Sequence, residues 1–517
     1  AQVRKIAESV ARYAPLPELP GTIADIAVAR EKKTDPTNTK AKGNPQAEVQ
    51  TQTIEAPAVT GEMPFEGLDD TGNAMRFIRL YGHMVRYCDI EGRWYVYDGV
   101  KWSPDEVLLV ADLMRQALIG LFQAAAMAGS SERAETIGKW ASKSMSAISR
   151  RHALENARSD PRVSVHPSQF DRGAHLLNCS NGTLDLRTGE LRPHRPEDLL
   201  RKVTRADYDP EVRSELWERV VSAALGDDEE FVAGFKRACG YCATGDTSEE
   251  VFFILHGPTH SVKSTVCDAL AATLGDYVHA TAAETWLERD RVGGTRGDLV
   301  DLDGVRIAIS AETQRKIPLA VALIKAFTGG DPIVANEKYQ RNQTMIPTAK
   351  IWLHTNDVPR MPDNDDAVWR RAVIFPFNHP PAHPDKRIKK LLSDPEQCGS
   401  GILTWVVEGY NEWRRQGLDV PAAARAETLA VRIGMDPLQS WWDECCEQEE
   451  GARTSNTDLR ASYEMWRKHY SVRYSVGARE WGERMTARGL VPYRSNGVRG
   501  WVGVALTGAE TQTGIGC

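Results

Sequence analysis

The chain has no uncharged apolar run of about 18 residues, the length at which a helix spans a bilayer. Its longest apolar stretch, Val107–Gly129, is interrupted by Asp112 and Arg115, so no transmembrane helix and no membrane partner are expected. No charged-then-apolar signal segment opens the chain, and a cytoplasmic protein is expected. Ala1 in place of Met marks the first residue as processed or as a cut edge. Cysteine is sparse: nine in 517 residues exclude a disulfide-stapled secreted scaffold. The close pair Cys239 and Cys242 has no second pair and no neighbouring histidine, so zinc is not expected there. Cys445 and Cys446 are adjacent and are expected to be reduced. Positive charge is not in excess either; the net charge is −7. A wholly basic nucleic-acid binder is excluded, and any DNA contact has to come from local patches. No long internal repeat occurs.

What is present is ordinary globular composition, 41% hydrophobic and 26% charged. That excludes collagen, coiled coil and disorder throughout. The length suggests about three domains. Residues 1–66 read as a tail or linker, because Lys40–Thr60 has almost no large apolar residue to offset the entropy of ordering. Residues 67–245 read as mostly helical. Asp69-Asp70-Thr71 offers a cap for a helix over Ala74–Tyr81. Asp98-Gly99 lies between aromatic strands within Arg93–Trp102, and Asn181-Gly182 and Thr188-Gly189 mark turns between Leu176 and Leu191, all hairpin signals.

At Glu250 the pattern changes to strand, glycine loop, helix and further short strands. Val251–Leu255 is a continuous apolar run rich in β-branched and aromatic residues, as a buried parallel strand requires. Ile307–Ile309, Lys350–His354 and Ala372–Phe375 repeat the signal. This is an α/β nucleotide-binding pattern over residues 246–430. Residues 431–517 read differently: helices Leu459–Tyr470 and Ala478–Arg488, then strands Val491–Ser495 and Val498–Leu506 around Asn496-Gly497. Helix, helix and hairpin suggest a winged-helix-like DNA-binding module. Between Arg453 and Trp501 there are ten Arg or Lys against four Asp or Glu, which suits phosphate contacts.

The loop after the first strand reads Gly257-Pro258-Thr259-His260-Ser261-Val262-Lys263-Ser264-Thr265. The phosphate-loop pattern is Gly, four residues, Gly-Lys, then Ser or Thr. Gly257, Lys263 and Ser264 are in register, and Val262 replaces the second glycine. Backbone N–H groups in such a loop surround the phosphates of ATP, with a helix N-terminus aimed at them. Lys263 would meet the β- and γ-phosphates and Ser264 would hold Mg²⁺. Val262 opposes a positive φ at a cost on the order of 1–3 kcal/mol. Downstream, an apolar strand ends in Glu312, a carboxylate placed for Mg²⁺ and the attacking water. A second ends in Thr355-Asn356, an amide that can sense the γ-phosphate. Arg370 and Arg371 stand just before a third.

These elements, in this order, resemble the superfamily 3 helicases, and within them the phage/plasmid primase C-terminal family related to the poxvirus primase-helicase. Leu177–Leu191 resembles the family's N-G-x-L-D-L-x-T-G segment, Phe235–Gly245 its GY-x-x-T-G helix end, and Leu323–Asp331 its IK-x-x-TGGD stretch. The resemblance covers about residues 70–510. It implies a P-loop, AAA+-like core between a helical collar and the C-terminal module. It also implies ATP and Mg²⁺ as cofactors, and a homo-hexameric ring moving 3′-to-5′ on single-stranded and forked DNA. By position, Lys263 and Ser264 match the Walker A lysine and metal ligand, and Glu312 the Walker B acid. Asn356 matches the sensor, and Arg371, with Arg370 as second choice, the arginine finger. Ala335–Lys350 matches the pore hairpin, whose DNA-binding candidates are Lys338, Gln340, Arg341 and Asn342. Val262 departs from the family, and a non-catalytic DNA-binding ring or replication scaffold is the alternative it raises. No obvious primase-polymerase segment precedes Asp69, so either the sequence is a fragment or a separate primase or polymerase is an expected partner.

Overall fold

The computed structural model describes residues 67–288, 296–311, 318–335, 343–359, 361, 365–381, 383–435, 437–470, 476–495 and 497–507. They fall into two compact units, one within residues 1–204 and 336–343 and one within 205–335 and 344–517.

The first unit opens with α1 (Asp70–Tyr81), whose N-cap Asp69 accepts from the Gly72 amide at 2.6 Å. A three-stranded antiparallel meander follows, β1 (Val85–Cys88), β2 (Arg93–Tyr97) and β3 (Trp102–Pro104). The Asp98 carboxylate accepts from the amides of Val100 and Lys101, each at 2.8 Å, and so fixes the expected turn. Three helices follow: α2 (Leu109–Ala126), α3 (Ser131–Ser144) and α4 (Ala147–Arg158). By length and composition α2 could cross a membrane. Here Leu109, Leu113, Leu118, Leu121 and Phe122 of α2 are buried in the unit's core with Phe77 and Val85. A second meander, β4 (Leu176–Cys179), β5 (Gly182–Asp185) and β6 (Glu190–Arg192), places both expected turns between paired strands.

The second unit opens with α5 (Glu215–Ala224) and α6 (Glu229–Cys242). It continues with β7 (Phe252–His256), α7 (Lys263–Leu274), β8 (Val278–Thr281), α8 (Gly297–Val300), β9 (Ile307–Ala311) and α9 (Val321–Gly329). The strands β10 (Ile333–Ala335) and β11 (Gln343–Met345) pair as a ribbon. Then come β12 (Lys350–Thr355), α10 (Asp366–Trp369), β13 (Ala372–Pro376), α11 (Lys386–Leu392), α12 (Ser400–Gln416) and α13 (Ala422–Met435). A parallel five-stranded sheet runs β13-β7-β12-β9-β8. Phe252–Leu255 are fully buried, as strands covered on both faces require. Although the sequence grouped α6 with the region ahead of the core, it packs on this sheet. Phe235 meets the rings of Trp352, Phe375, Phe377 and Trp405.

The unit ends with α14 (Pro437–Cys445), β14 (Cys446–Ser455), α15 (Asn456–His469), α16 (Ala478–Ala487), β15 (Val491–Ser495) and β16 (Val498–Leu506). The three strands are antiparallel in the order β14-β16-β15. Trp441, Tyr463, Trp466 and Trp481 form the core beneath them. The strand β14 was not expected, because its polar sequence reads as a loop. Cys446 is a free, buried thiol. Cys445 departs from the expectation of a reduced thiol: it is disulfide-bonded.

Candidate nucleotide site

In a parallel sheet, ligands bind beyond the carboxyl ends of the strands, where successive connections diverge. From β7 the chain crosses towards β8, and from β12 it crosses the other way to β13, so the crevice opens between β7 and β12. The phosphate loop occupies that place. At its start, a Cβ on Gly257 would lie 2.2 Å from the Phe377 carbonyl oxygen, so only glycine fits. At its end, Val262 has φ 58 and ψ 5, the left-handed conformation that a loop glycine adopts freely. His260 also has a positive φ, 66. Helix α7 then starts at Lys263 with no side chain capping its N-terminus. Its first amides are therefore open to an anion.

Lys263 is buried and curls back over the loop. Its ammonium donates to the carbonyls of Gly257 (2.7 Å) and Pro258 (2.9 Å) and to Ser261 Oγ (2.9 Å). It also donates to Asn356 Oδ1 at 3.1 Å. Burial pushes the Lys263 ammonium below its usual range. Asn356 in turn donates from Nδ2 to Thr259 Oγ1 at 3.3 Å. The sensor candidate and the loop lysine, 93 residues apart, are thus in direct contact. The cleft around them has a volume of about 540 Å³ and is also lined by Ser264, Glu284, Ala311 and His354. That lies in the range of small-molecule sites, about 300–1,000 Å³. Ser264 is exposed, whereas Thr265 is buried in the first turn of α7. Ammonium, open amides and an accessible hydroxyl fit a nucleotide's phosphates and a divalent cation.

Glu312 lies outside the described residues, as do Lys338, Gln340, Arg341 and Asn342. Their flanks are described. Strand β9 ends at Ala311, which lines the cleft, and β10 pairs with β11 on either side of the pore-hairpin candidates. Arg370 and Arg371 lie elsewhere, at the amino end of the sheet, since Ala372 pairs with Phe252. Arg371 is held by Glu250 at 2.5 Å and donates to the Ala367 carbonyl at 3.1 Å. Arg370 is exposed, and no side-chain partner occurs among the described residues.

Sequence reasoning missed two lining side chains. Glu284 follows β8, and His354 lies two residues before Asn356 on β12. Neither sits in a motif; parallel pairing delivers them. It also missed His256, which ends β7 and whose Nδ1 lies 2.7 Å from Glu427 Oε1 on α13. The Cys239 and Cys242 thiols are buried on α6, and burial raises both. The Cys242 sulfur accepts from the Trp352 indole at 3.2 Å.

Residues 74–226 match the family described as D5 N terminal like. A protein of Acanthamoeba polyphaga mimivirus named as a candidate helicase is 25% identical over 295 residues, 53% of this chain and 30% of its own length. A similarly named protein of Sputnik virophage is 22% identical over 41% of this chain and 29% of its own length. One of Invertebrate iridescent virus 3 is 23% identical over 44% and 26%. The chain thus spans less than a third of the length of these curated relatives. The apo structure of the NrS-1 C terminal region superposes with a TM-score of 0.43 at 10% identity, covering 84% of this chain and 100% of that one. Residues 74–226 thus resemble a D5 N terminal like domain, and about half of the chain or less is similar to viral proteins named as helicases.

Proposed function

We propose that the chain is an ATP-driven replicative DNA helicase of a phage or mobile element, working as a ring on single-stranded DNA. The observation that carries this is the contact between Lys263 and Asn356 inside the cleft. Two motifs named independently from the sequence meet where a γ-phosphate would sit. Counting its strands in chain order, the sheet runs 5-1-4-3-2, which supports an AAA+-like P-loop core. The helicase names of the viral relatives agree with this reading.

In this proposal Lys263 leaves the loop carbonyls for the β- and γ-phosphates, and the amides at the start of α7 bind the same oxygens. Ser264 and Glu312 would hold Mg²⁺, and the ion would supply positive charge against the phosphate oxygens. Glu312 also orients the attacking water, and Asn356, freed from Lys263, senses the γ-phosphate. Arg370 or Arg371 cannot serve the loop of its own chain. A five-residue strand separates them from it, about 16 Å at roughly 3.3 Å per residue. A finger role in trans, on a neighbouring subunit of a hexamer, follows. Arg370 is the better finger because Glu250 already engages Arg371. Lys338, Gln340, Arg341 and Asn342, which lie outside the described residues between β10 and β11, are the proposed contacts to the DNA strand. The arrangement of α14–α16 with β14–β16 supports a winged-helix-like module. A cytoplasmic setting and a separate primase or polymerase belong to the same proposal.

The alternative, a DNA-binding ring without turnover, rested on Val262. The loop takes the left-handed turn with valine in place, so its geometry is kept and active turnover is the favoured reading. The test is unwinding of forked DNA with ATP. Displacement from a 3′-tailed substrate and not from a 5′-tailed one is expected. DNA binding without displacement on either would select the alternative.

A further inference from the structure

Charge is distributed unevenly over the C-terminal elements. On α16 it is matched: Arg479 lies 2.9 Å from Glu483, and Arg484 2.8 Å from Glu480. On α15, Arg467 is matched to Glu464 at 2.7 Å. Arg488 donates to Gln439 and to the Arg484 carbonyl and lies over Trp442.

The hairpin differs. Arg494 and Arg499 face each other directly across β15 and β16. Like charges in that relation destabilise a sheet. Both are exposed, and neither forms an ion pair among the described residues. Two more guanidinium groups converge there over aromatic rings: Arg460 lies 4.8 Å from the Trp481 ring centre, and Arg453 5.8 Å from that of Tyr493. Arg460, Arg494, Arg499 and Tyr493 line a groove of about 500 Å³. The glutamates of β14 begin at Glu447, opposite Ala505. That is six residues along β16 from Arg499, about 20 Å at roughly 3.4 Å per residue. Glu449 and Glu450 sit in the bulge between Gln448 and Arg453.

The groove has no bare stacking platform for an unstacked base, since Trp481 and Trp501 are buried and Tyr493 carries a guanidinium. It offers unbalanced positive charge, which suits a phosphate backbone, and phosphates are densest on a duplex.

We propose that the groove lined by Arg460, Arg494 and Arg499, with Arg453 beside it over Tyr493, holds the phosphate backbone of duplex DNA. This contact, rather than the charge-matched helix α16, carries duplex affinity, and it reads no sequence. The assignment rests on the DNA-helicase reading above. Fluorescence anisotropy on the full chain tests it, with duplexes of unrelated sequence and an oligo(dT) strand over a salt series. Replacing both Arg494→Ala and Arg499→Ala should weaken duplex binding at least about tenfold. It should also flatten the log–log salt dependence by about 2, one unit per lost phosphate contact. Oligo(dT) binding and ATP turnover should not change. Arg460→Ala, on a different element, should also weaken duplex binding, which guards against misfolding of the hairpin. Arg479→Ala with Glu483→Ala should leave it unchanged. Retained affinity in the hairpin variant, lost affinity in the α16 variant or a marked sequence preference overturns the proposal. A parent that binds oligo(dT) but no duplex sinks this assignment and leaves the helicase reading standing. A parent that binds neither sinks both.

Discussion

Val262 holds a left-handed conformation that branching at Cβ disfavours, and it does so one residue before the phosphate-loop lysine. Such strain is worth on the order of 1–3 kcal/mol. Glycine would relieve it, offset in part by its own larger entropy loss, about 0.5–1 kcal/mol. Val262→Gly should therefore leave stability unchanged or raise it by about 1 kcal/mol, read from the denaturant midpoint. A clear loss would mean that the valine side chain stabilises the loop more than the strain costs. A second residue-scale consequence concerns Lys350, which starts β12 and donates to the carbonyls of Asp246 and Thr348, each at 3.1 Å. Burial pushes its pKa down to about 7 from 10.5. Between those values the unfolded chain binds more protons than the folded one, so stability rises with pH across that window. Below about 7 the fold has to hold a buried ammonium. Thermal unfolding between pH 7 and 9 should show this rise. Lys350→Met, less stable because the carbonyls lose their donor, should lack it.

At the scale of elements, Phe235 meets several rings of the sheet from α6, beside the Phe231–Phe375 stack and the Cys242–Trp352 hydrogen bond. Phe235→Ala should cost about 3–5 kcal/mol, as for other buried phenylalanines, measured by chemical denaturation. A cost below about 1 kcal/mol would show that α6 is held mainly by other contacts. Much of this level was legible in the sequence. Apolar β-branched runs marked β7, β9, β12 and β13, and Asp98-Gly99 marked its hairpin because local chemistry dictates local turns. What escaped was made by pairing between distant segments. The strand β14 contains Glu-Gln-Glu-Glu-Gly and is a strand because β16 offers it a ladder. Glu284 and His354 reach the cleft through strand register, with His354 opposite Ala311. Arg371 meets Glu250 because β13 pairs with β7, although the two are 121 residues apart. No window of sequence carries these facts.

At the scale of the molecule, the proposed active assembly is larger than one chain, since the arginines stand a strand's length from their own loop. Arg370→Ala and Lys263→Ala should each be inactive alone. Mixed, they should regain part of the parental ATP turnover, because some interfaces would join an intact loop to an intact finger. Full activity of Arg370→Ala alone would remove the finger role. In the proposed function, the Lys263–Asn356 cleft takes ATP and DNA drives its hydrolysis. Steady-state ATP hydrolysis with and without single-stranded DNA, for the parent and for Lys263→Ala, tests it most directly. Turnover by the parent, stimulated by DNA, is expected, with a loss of at least about a hundredfold on removing the ammonium that meets the transferring charge. A folded parent with no turnover, or turnover unchanged in Lys263→Ala, would contradict it.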